Sequence, residues 1–340
     1  MEKNLRGSYG DNSARNLVGG SFRELKIIDS QEIKEKISMG DAIKLMEDAY
    51  ASYSSGKSYV PQRCISDLPG LPMDLFFKPV YSEELGRIAV KILTQKQGDV
   101  QPGFPTIIGI VLLLDSKSGE ILSLIDGTYL TALRTGASSG IATQYLARED
   151  AEILAIIGCG AQGETQLEAV CNIRPIKQVL LYDVDAQAAI NLRDQMQDKL
   201  SIPLSIEKDM GRLKKADVIC TATGSDTPLF SKDEISMGVH INAIGSFKPH
   251  MQEISPGIIK SCRLLVDSRQ AVLKETGDII IPIKKGIISS TFVSDEIGDL
   301  INEACEGRQS PDDITVFKSV GIAVQDLFVA NAVYDKSVLV

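Results

Sequence analysis

At about 150 residues per domain, the 340 residues suit two domains better than one or several. Hydrophobic residues make up 44% and charged residues 24%, a balance that excludes disordered, collagenous and coiled-coil chains. A formal charge of -9 argues against nucleic acid or an anionic membrane as partner, and apolar runs far short of the ~20 residues that cross a bilayer point to a cytoplasmic protein.

The first segment, residues 1–21, is rich in Gly, Ser, Asn and Arg and reads as a flexible leader. From Met39, the residues Ala42, Leu45, Met46, Ala49, Tyr50 and Tyr53 recur at spacings of three and four, which predicts one amphipathic helix ending near Gly56. Arg87 to Leu93 alternates as a strand, with Ala89, Lys91 and Leu93 on one face. Ile107 to Leu114 and Ile121 to Ile125 flank the turn-rich stretch Asp115 to Gly119, so a hairpin and antiparallel sheet are expected there. A helix should follow from about Thr128. From Glu152 onward strands alternate with helices: Ile153 to Ile157, Val179 to Tyr182, Val218 to Cys220, His240 to Ile244, Leu264 to Val266 and Ile314 to Phe317. That pattern predicts a parallel, doubly wound sheet. Val320 to Tyr334 reads as a helix that either covers this sheet or crosses back to the first half.

Six scattered cysteines with no C-x-x-C pair should be reduced, mostly buried thiols. The two histidines, His240 and His250, are too few for a histidine metal site or a Ser/His triad. His240 lies in an apolar run, where a hydrogen-bonded structural role is expected.

The strand Ile153 to Ile157 runs into Gly158-Cys-Gly-Ala-Gln-Gly163 and then into a helix, the context of a dinucleotide-binding loop. Gly158 permits the tight turn, Gly160 lets the backbone approach a pyrophosphate, and Gly163 allows close helix packing. Ala161 and Gln162 open the helix whose N–H groups face the phosphates. Asp183, at the end of the next strand, is placed to accept from an adenosine ribose and to repel a 2′-phosphate, which favours NAD(H) over NADP(H). Taken alone, Asp183 has a lesser alternative as a helix cap or turn residue. Thr221-Ala222 and Ala243 follow or end strands where such sheets bind ligands and would edge the nicotinamide side, unless they are plain loop residues.

Three cations stand in apolar surroundings: Arg63 after Pro61, Lys91 on its strand and Arg134 in Leu133-Arg-Thr-Gly-Ala137. Burying them requires an anion, and a carboxylate-bearing substrate is one candidate. A protein carboxylate is the expected partner of Arg63 taken alone; for Lys91 both readings stay open.

The set Pro61-x-Arg63, Ala89-Val-Lys91, Phe104-Pro-Thr106, Thr131-Ala-Leu-Arg-Thr-Gly-Ala137, Ile157-Gly-Cys-Gly-Ala-Gln162, His240-Ile-Asn-Ala-Ile-Gly245 and Val316-Phe-Lys-Ser-Val-Gly321 resembles the ornithine cyclodeaminase/mu-crystallin family, from about Phe22 to Val338. The resemblance implies a Rossmann-type doubly wound parallel sheet over 147–319 that binds NAD. It also implies an α+β substrate-binding and dimerisation domain over 22–146, completed by a C-terminal helix over 320–340, in a homodimer. Carried over by position, Arg63, Lys91 and Arg134 hold the substrate carboxylate, with Lys91 also near the reacting carbon as catalytic residue. Thr106 and Ser319 match positions at the nicotinamide end of the cofactor.

The family's cyclodeaminases carry an aspartate in the loop where this chain has Gly245-Ser-Phe-Lys-Pro249, and Phe247 aligned with it cannot take a proton. The resemblance therefore implies hydride transfer to the C=N carbon of a small imino acid, as in a Δ1-pyrroline-2-carboxylate reductase or, with an open-chain imine, an alanine dehydrogenase. Ornithine cyclodeaminase is the alternative. A non-catalytic, crystallin-like binding protein would have no need for all three cations. Met73, Phe76, Phe77 and Phe247 are candidate pocket residues.

Overall fold

The computed structural model describes residues 25–68, 70–96 and 107–338; the expected leader and Thr106 lie outside them. The first sheet has β1 (Lys26–Ile28), β2 (Ser58–Tyr59), β3 (Cys64–Asp67), β4 (Met73–Ser82), β5 (Arg87–Lys96), β6 (Ile107–Asp115) and β7 (Ile121–Asp126). Its order is β1-β7-β6-β5-β4-β2 with β3 also on β4, antiparallel throughout except for β1 on β7. The expected hairpin is β6–β7, and Asp115 Oδ1 closes its turn by accepting from the N–H groups of Lys117 and Ser118 (3.0 and 2.9 Å).

Ten-residue β4 was not legible as a strand. Its inward positions are Asp74, Phe76, Lys78, Val80 and Ser82, so the buried face carries charges and hydroxyls where alternation would look for apolar residues, and Pro79 interrupts the run. Three-residue β1 was missed for its brevity.

The helices that cover this sheet are α1 (Ser30–Lys36), α2 (Met39–Ser54) and α3 (Gly127–Leu146). Ser38 starts α2 with a reciprocal box: its Oγ accepts from Asp41 N–H (3.1 Å) and Asp41 Oδ2 accepts from Ser38 N–H (3.2 Å). The helix then buries Ala42, Ile43, Met46, Ala49 and Tyr50. Asp126 caps α3 by accepting from Tyr129 N–H (2.7 Å). Apolar and small on nearly every side, α3 lies between the two sheets, touching β6 on one and β12 and β14 on the other.

The second sheet contains β8 (Ile153–Ile157), β9 (Gln178–Tyr182), β10 (Leu204–Ile206), β11 (Val218–Thr221), β12 (His240–Ala243), β13 (Arg263–Val266) and β14 (Thr315–Lys318). All are parallel, in the order β10-β9-β8-β11-β12-β14-β13. The helices between and after them are α4 (Ala161–Ile173), α5 (Ala186–Leu200), α6 (Pro256–Ser261), α7 (Arg269–Glu275), α8 (Gly277–Lys284), α9 (Ile297–Ile301) and α10 (Ala323–Val338). The central strands are buried along their whole length, as a sheet covered on both faces requires. This is a Rossmann-type α/β sheet joined to an α+β unit, as expected; of the second sheet's strands only β10, at its edge, was not anticipated. The alternatives for the last helix are resolved: α10 crosses back to pack on α2, α3, β4 and β5.

His240 is structural. Its Nδ1 meets Thr315 Oγ1 (2.9 Å) and its Nε2 meets Asn242 Oδ1 (3.2 Å), and burial, with Arg308 nearby, pushes the imidazole down to about 3. The six cysteines are free, but their burial is less complete than expected: Cys159 and Cys220 are buried, Cys64 is exposed and the rest are intermediate. No helix among the described residues is long and apolar enough to cross a membrane.

Candidate active site

Sequence order reverses between β8 and β11, which are neighbours although β9 and β10 intervene in the chain. The crevice at such a reversal is where doubly wound sheets bind ligands. Gly158 turns out of β8 at φ +100°, and a Cβ there would lie 2.5 Å from the carbonyl oxygen of Ala222, so only glycine fits. A Cβ on Gly163 would lie 2.2 Å from Gly158 O, whereas one on Gly160 would meet open space. The loop is thus closed on the protein side and clear where a pyrophosphate would approach. No side chain caps α4, whose first N–H groups point into this space. Gln162 lines the cleft, and its buried Oε1 has no partner among the described residues.

Asp183 follows β9. Its Oδ2 accepts from Cys159 N–H (2.6 Å) and its Oδ1 from Asp185 N–H (2.9 Å), so it braces the glycine loop. Thr221 and Ala243 are fully buried strand ends; the cleft is lined one residue further on, by Ala222 and Thr223 and by Ile244 and Gly245. Thr221 Oγ1 instead donates to Glu253 Oε2 (2.8 Å). Glu253, which sequence reasoning missed, also accepts from Thr223 N–H (2.7 Å), Thr223 Oγ1 (2.8 Å), Gly245 N–H (2.8 Å) and Ser246 N–H (3.2 Å). One buried carboxylate ties both post-strand loops together.

The cleft, about 990 Å³, continues from these loops to β4 and α3. Arg63, Arg134, Ser319, Phe76 and Phe247 line it, while Lys91 does not. Met73 and Phe77 fall on the other face of β4, because strand side chains alternate. Arg63 pairs with Glu275 (2.8 Å), as expected of it taken alone, donates to the carbonyls of Val320 (3.3 Å) and Phe247 (3.2 Å), and stacks 5.6 Å above the Phe76 ring. Arg134 Nε donates to Asp326 Oδ1 (3.1 Å) and its Nη1 to Gln325 Oε1 (2.9 Å). Lys91 stands one hydroxyl behind the wall, donating to Asp326 Oδ1 (2.6 Å) and Thr131 Oγ1 (3.2 Å).

Burial dominates the charges here. It brings Lys91 down to about 7 in spite of Asp326, with Arg134 and Arg63 adding to the effect. Burial also works against an ionised Asp326, but Lys91, Arg134 and Lys78 hold its carboxyl below the usual range. Ser319 Oγ donates to Asp267 Oδ2 (2.8 Å), which also accepts from Val320 N–H (2.9 Å) and Gly321 N–H (2.7 Å). Asp267 therefore shapes the loop whose Val320 carbonyl holds Arg63.

Asp326, Glu275, Asp267 and Lys78 were not singled out from sequence. For Asp326 a signal was there: Gln325-Asp326 is a polar pair inside the otherwise apolar run Val320 to Ala330.

The model of the ornithine cyclodeaminase/mu-crystallin family matches residues 23–339. The chain belongs to this family. Among its relatives, the Δ1-pyrroline-2-carboxylate reductase of Bacillus cereus is 38% identical over 313 residues, 92% of this chain and 96% of that protein. The structure of Thermococcus litoralis Δ1-pyrroline-2-carboxylate reductase in complex with NADH and L-proline superposes with a TM-score of 0.89 at 35% identity, covering 92% of this chain and 97% of that one. An archaeal alanine dehydrogenase dimer with bound NAD gives 0.87 at 32% identity, covering 93% and 96%.

Proposed function

We propose that this protein is an NADH-dependent reductase of a small imino acid, with Δ1-pyrroline-2-carboxylate going to L-proline as the leading reaction. The observation that carries this is the continuity of one cleft, with a pyrophosphate-ready glycine loop at one end and an excess of buried cations at the other. A bound nicotinamide cofactor supplies the hydride. Gly158 to Gly163 and the start of α4 would hold its pyrophosphate, Asp183 its adenosine ribose, and Ala222, Ile244 and Ser319 would border the reacting end. The Asp183 carboxylate, beside Val184 and Asp185 with no cation, supports a preference for NAD(H) over NADP(H).

Arg63 and Arg134 hold the substrate carboxylate and so fix the imine's orientation, the largest contribution open to residues that do no bond-breaking themselves. Lys91, near 7 and one hydroxyl from the cleft, holds the proton that the imine nitrogen receives, by way of Thr131 Oγ1 once that hydroxyl turns from the Gly127 carbonyl to which it donates (2.6 Å). Phe247, aligned with the aspartate of the family's cyclodeaminases, lines the cleft and cannot take a proton, which disfavours ornithine cyclodeamination. Alanine dehydrogenase activity, with an open-chain imine from pyruvate and ammonia, is the second reading, supported by the likeness to the archaeal enzyme.

The outward face of the first sheet carries Ile27 (67% exposed), Tyr59 (68%) and Ile108 (47%), with Tyr81 and Ile110 also exposed. An apolar face of this kind supports a homodimer. The working compartment on this reading is the cytoplasm. The test is NADH oxidation with Δ1-pyrroline-2-carboxylate, alongside pyruvate plus ammonia and alongside ornithine with catalytic NAD. Rapid NADH loss with the cyclic imine is expected; proline formed from ornithine would overturn the reading.

A further inference from the structure

Four basic side chains crowd the substrate end of the cleft: Arg63, Lys78, Lys91 and Arg134. Two carboxylates answer them. Glu275 pairs with Arg63 at 2.8 Å, and Asp326 is shared by Lys91 at 2.6 Å and Arg134 at 3.1 Å. Lys78 is left over. The antiparallel register of β4 and β5 sets it directly opposite Lys91 on the same face, where facing side chains stand about 5 Å apart at their Cβ atoms. Its Nζ donates to the carbonyl oxygen of Gly321 (3.2 Å), and among the described residues no carboxylate reaches ion-pair distance of it. Lys78 is 6% exposed, and it borders the cleft as well as a small cavity that it shares with Arg63, Glu275 and Gly321. A buried ammonium with no counter-ion is unfavourable, so the amine either sheds its proton or waits for an anion.

We propose that Lys78 is a further substrate-binding residue, one whose counter-ion is the substrate's own carboxylate. This rests on the reading that the substrate carries a carboxylate into this cleft. The groups that face Lys78 are Arg63 from the loop before β3, Lys91 from β5, Arg134 from α3, Asp326 from α10 and Glu275 from the end of α7. Burial, then the three cations, pushes the free amine well below the ordinary lysine range. A carboxylate arriving within reach reverses that balance, because an opposite charge favours the protonated form. Substrate binding then takes up one proton at Lys78, so the arriving negative charge meets a positive one of its own.

The test uses the protein with bound NADH and pyrrole-2-carboxylate, a planar carboxylate that cannot be reduced and does not itself titrate near neutrality. Calorimetric titration at pH 6, where Lys91 already holds its proton, in buffers of different ionisation heat counts protons taken up per site. Wild type is expected to take up close to one. Lys78→Arg keeps a fixed charge, so it should bind within a few-fold of wild type with no uptake. Lys78→Met should lose the uptake and bind about tenfold more weakly, the usual effect of losing a charge-assisted contact. Uptake that persists in Lys78→Arg would assign the proton to another group and overturn the proposal, as would unchanged affinity in Lys78→Met. Should Lys78→Met not fold, Lys78→Arg alone still decides. Failure of the wild type both to bind the probe and to reduce Δ1-pyrroline-2-carboxylate would instead overturn the functional reading; wild-type turnover with an unchanged KM in Lys78→Met would overturn only the role of Lys78.

Discussion

Lys91 Nζ and Arg134 Nε both donate to the same oxygen of Asp326, Oδ1, at 2.6 and 3.1 Å, while the buried Oδ2 has no partner among the described residues. One carboxylate oxygen therefore sets the electrostatics of two residues that the proposed chemistry uses. Asp326 is a positioning residue whose effect should be visible through Lys91. In the reductive direction kcat should fall about tenfold per pH unit above about pH 7, as Lys91 loses its proton. Asp326→Asn removes the charge that favours protonated Lys91, so the break in the pH profile should move to lower pH and kcat at pH 7 should drop about tenfold or more. A pH profile of kcat for the two proteins checks this, and an unmoved break would remove Asp326 from the account.

Folding stability should report the same lysine. The unfolded chain holds a lysine proton to about 10.5, the folded protein holds that of Lys91 only to about 7. Between those values the unfolded state binds more protons, so on account of Lys91 stability rises with pH across that window and levels off below it. Lys91→Met should flatten the rise. Urea unfolding at pH 7 and pH 9 for both proteins measures it; equal slopes would place the protonation change elsewhere.

Gly321 has φ +77°, and a Cβ there would lie 2.6 Å from Arg134 Nη1. Gly321→Ala should therefore displace the guanidinium and strain the loop by about 1–3 kcal/mol. The expected result is a KM for the imino acid raised at least about tenfold with NADH affinity nearly unchanged. Fluorescence titration of NADH beside steady-state kinetics separates the two effects.

Asp183 braces the glycine loop through Cys159 N–H and, on the functional reading, also holds the ribose. Asp183→Ser should weaken NADH binding about tenfold and narrow the gap to NADPH, since a repelling charge is gone. KM values for both cofactors test this, and an unchanged ratio would reduce Asp183 to a turn residue.

If the apolar outer face of the first sheet joins two copies, a charge placed in it should part them. Ile110→Glu is expected to yield monomer at micromolar concentration in sedimentation runs, because an unpaired carboxylate in an apolar interface costs several kcal/mol. A wild-type monomer would remove the dimer from the proposal.

The alternating and 3.6-residue patterns were enough to read the parallel sheet, the hairpin and α2, because each of these buries a regular apolar face. The glycine loop was legible for a related reason: a strand, a tight turn and a helix leave a local mark. What escaped was long-range. The β4 strand buries Asp74, Lys78 and Ser82 instead of apolar residues, so the pattern that announces a strand is absent where the strand builds the site. The partners Asp326 and Glu275 could not be assigned to Lys91, Arg134 and Arg63 from sequence, since nothing local says which carboxylate a distant strand or helix will meet. Lys91 was expected beside the substrate; the structure puts Thr131 and Arg134 on the cleft wall in front of it.

Lys91 and Asp326 are 235 positions apart in the chain, and the intervening residues include the whole second sheet. The counter-ion for the first sheet's lysine thus arrives with α10, the last helix described. Until that helix docks, Lys91 of β5 and Arg134 of α3 lack the carboxylate that pairs with them. Contacts this distant close late and slowly. This wall of the cleft is therefore expected to be the last part of the molecule to become native, and on the functional reading proposed above a newly made chain should not bind a carboxylate substrate until α10 is in place.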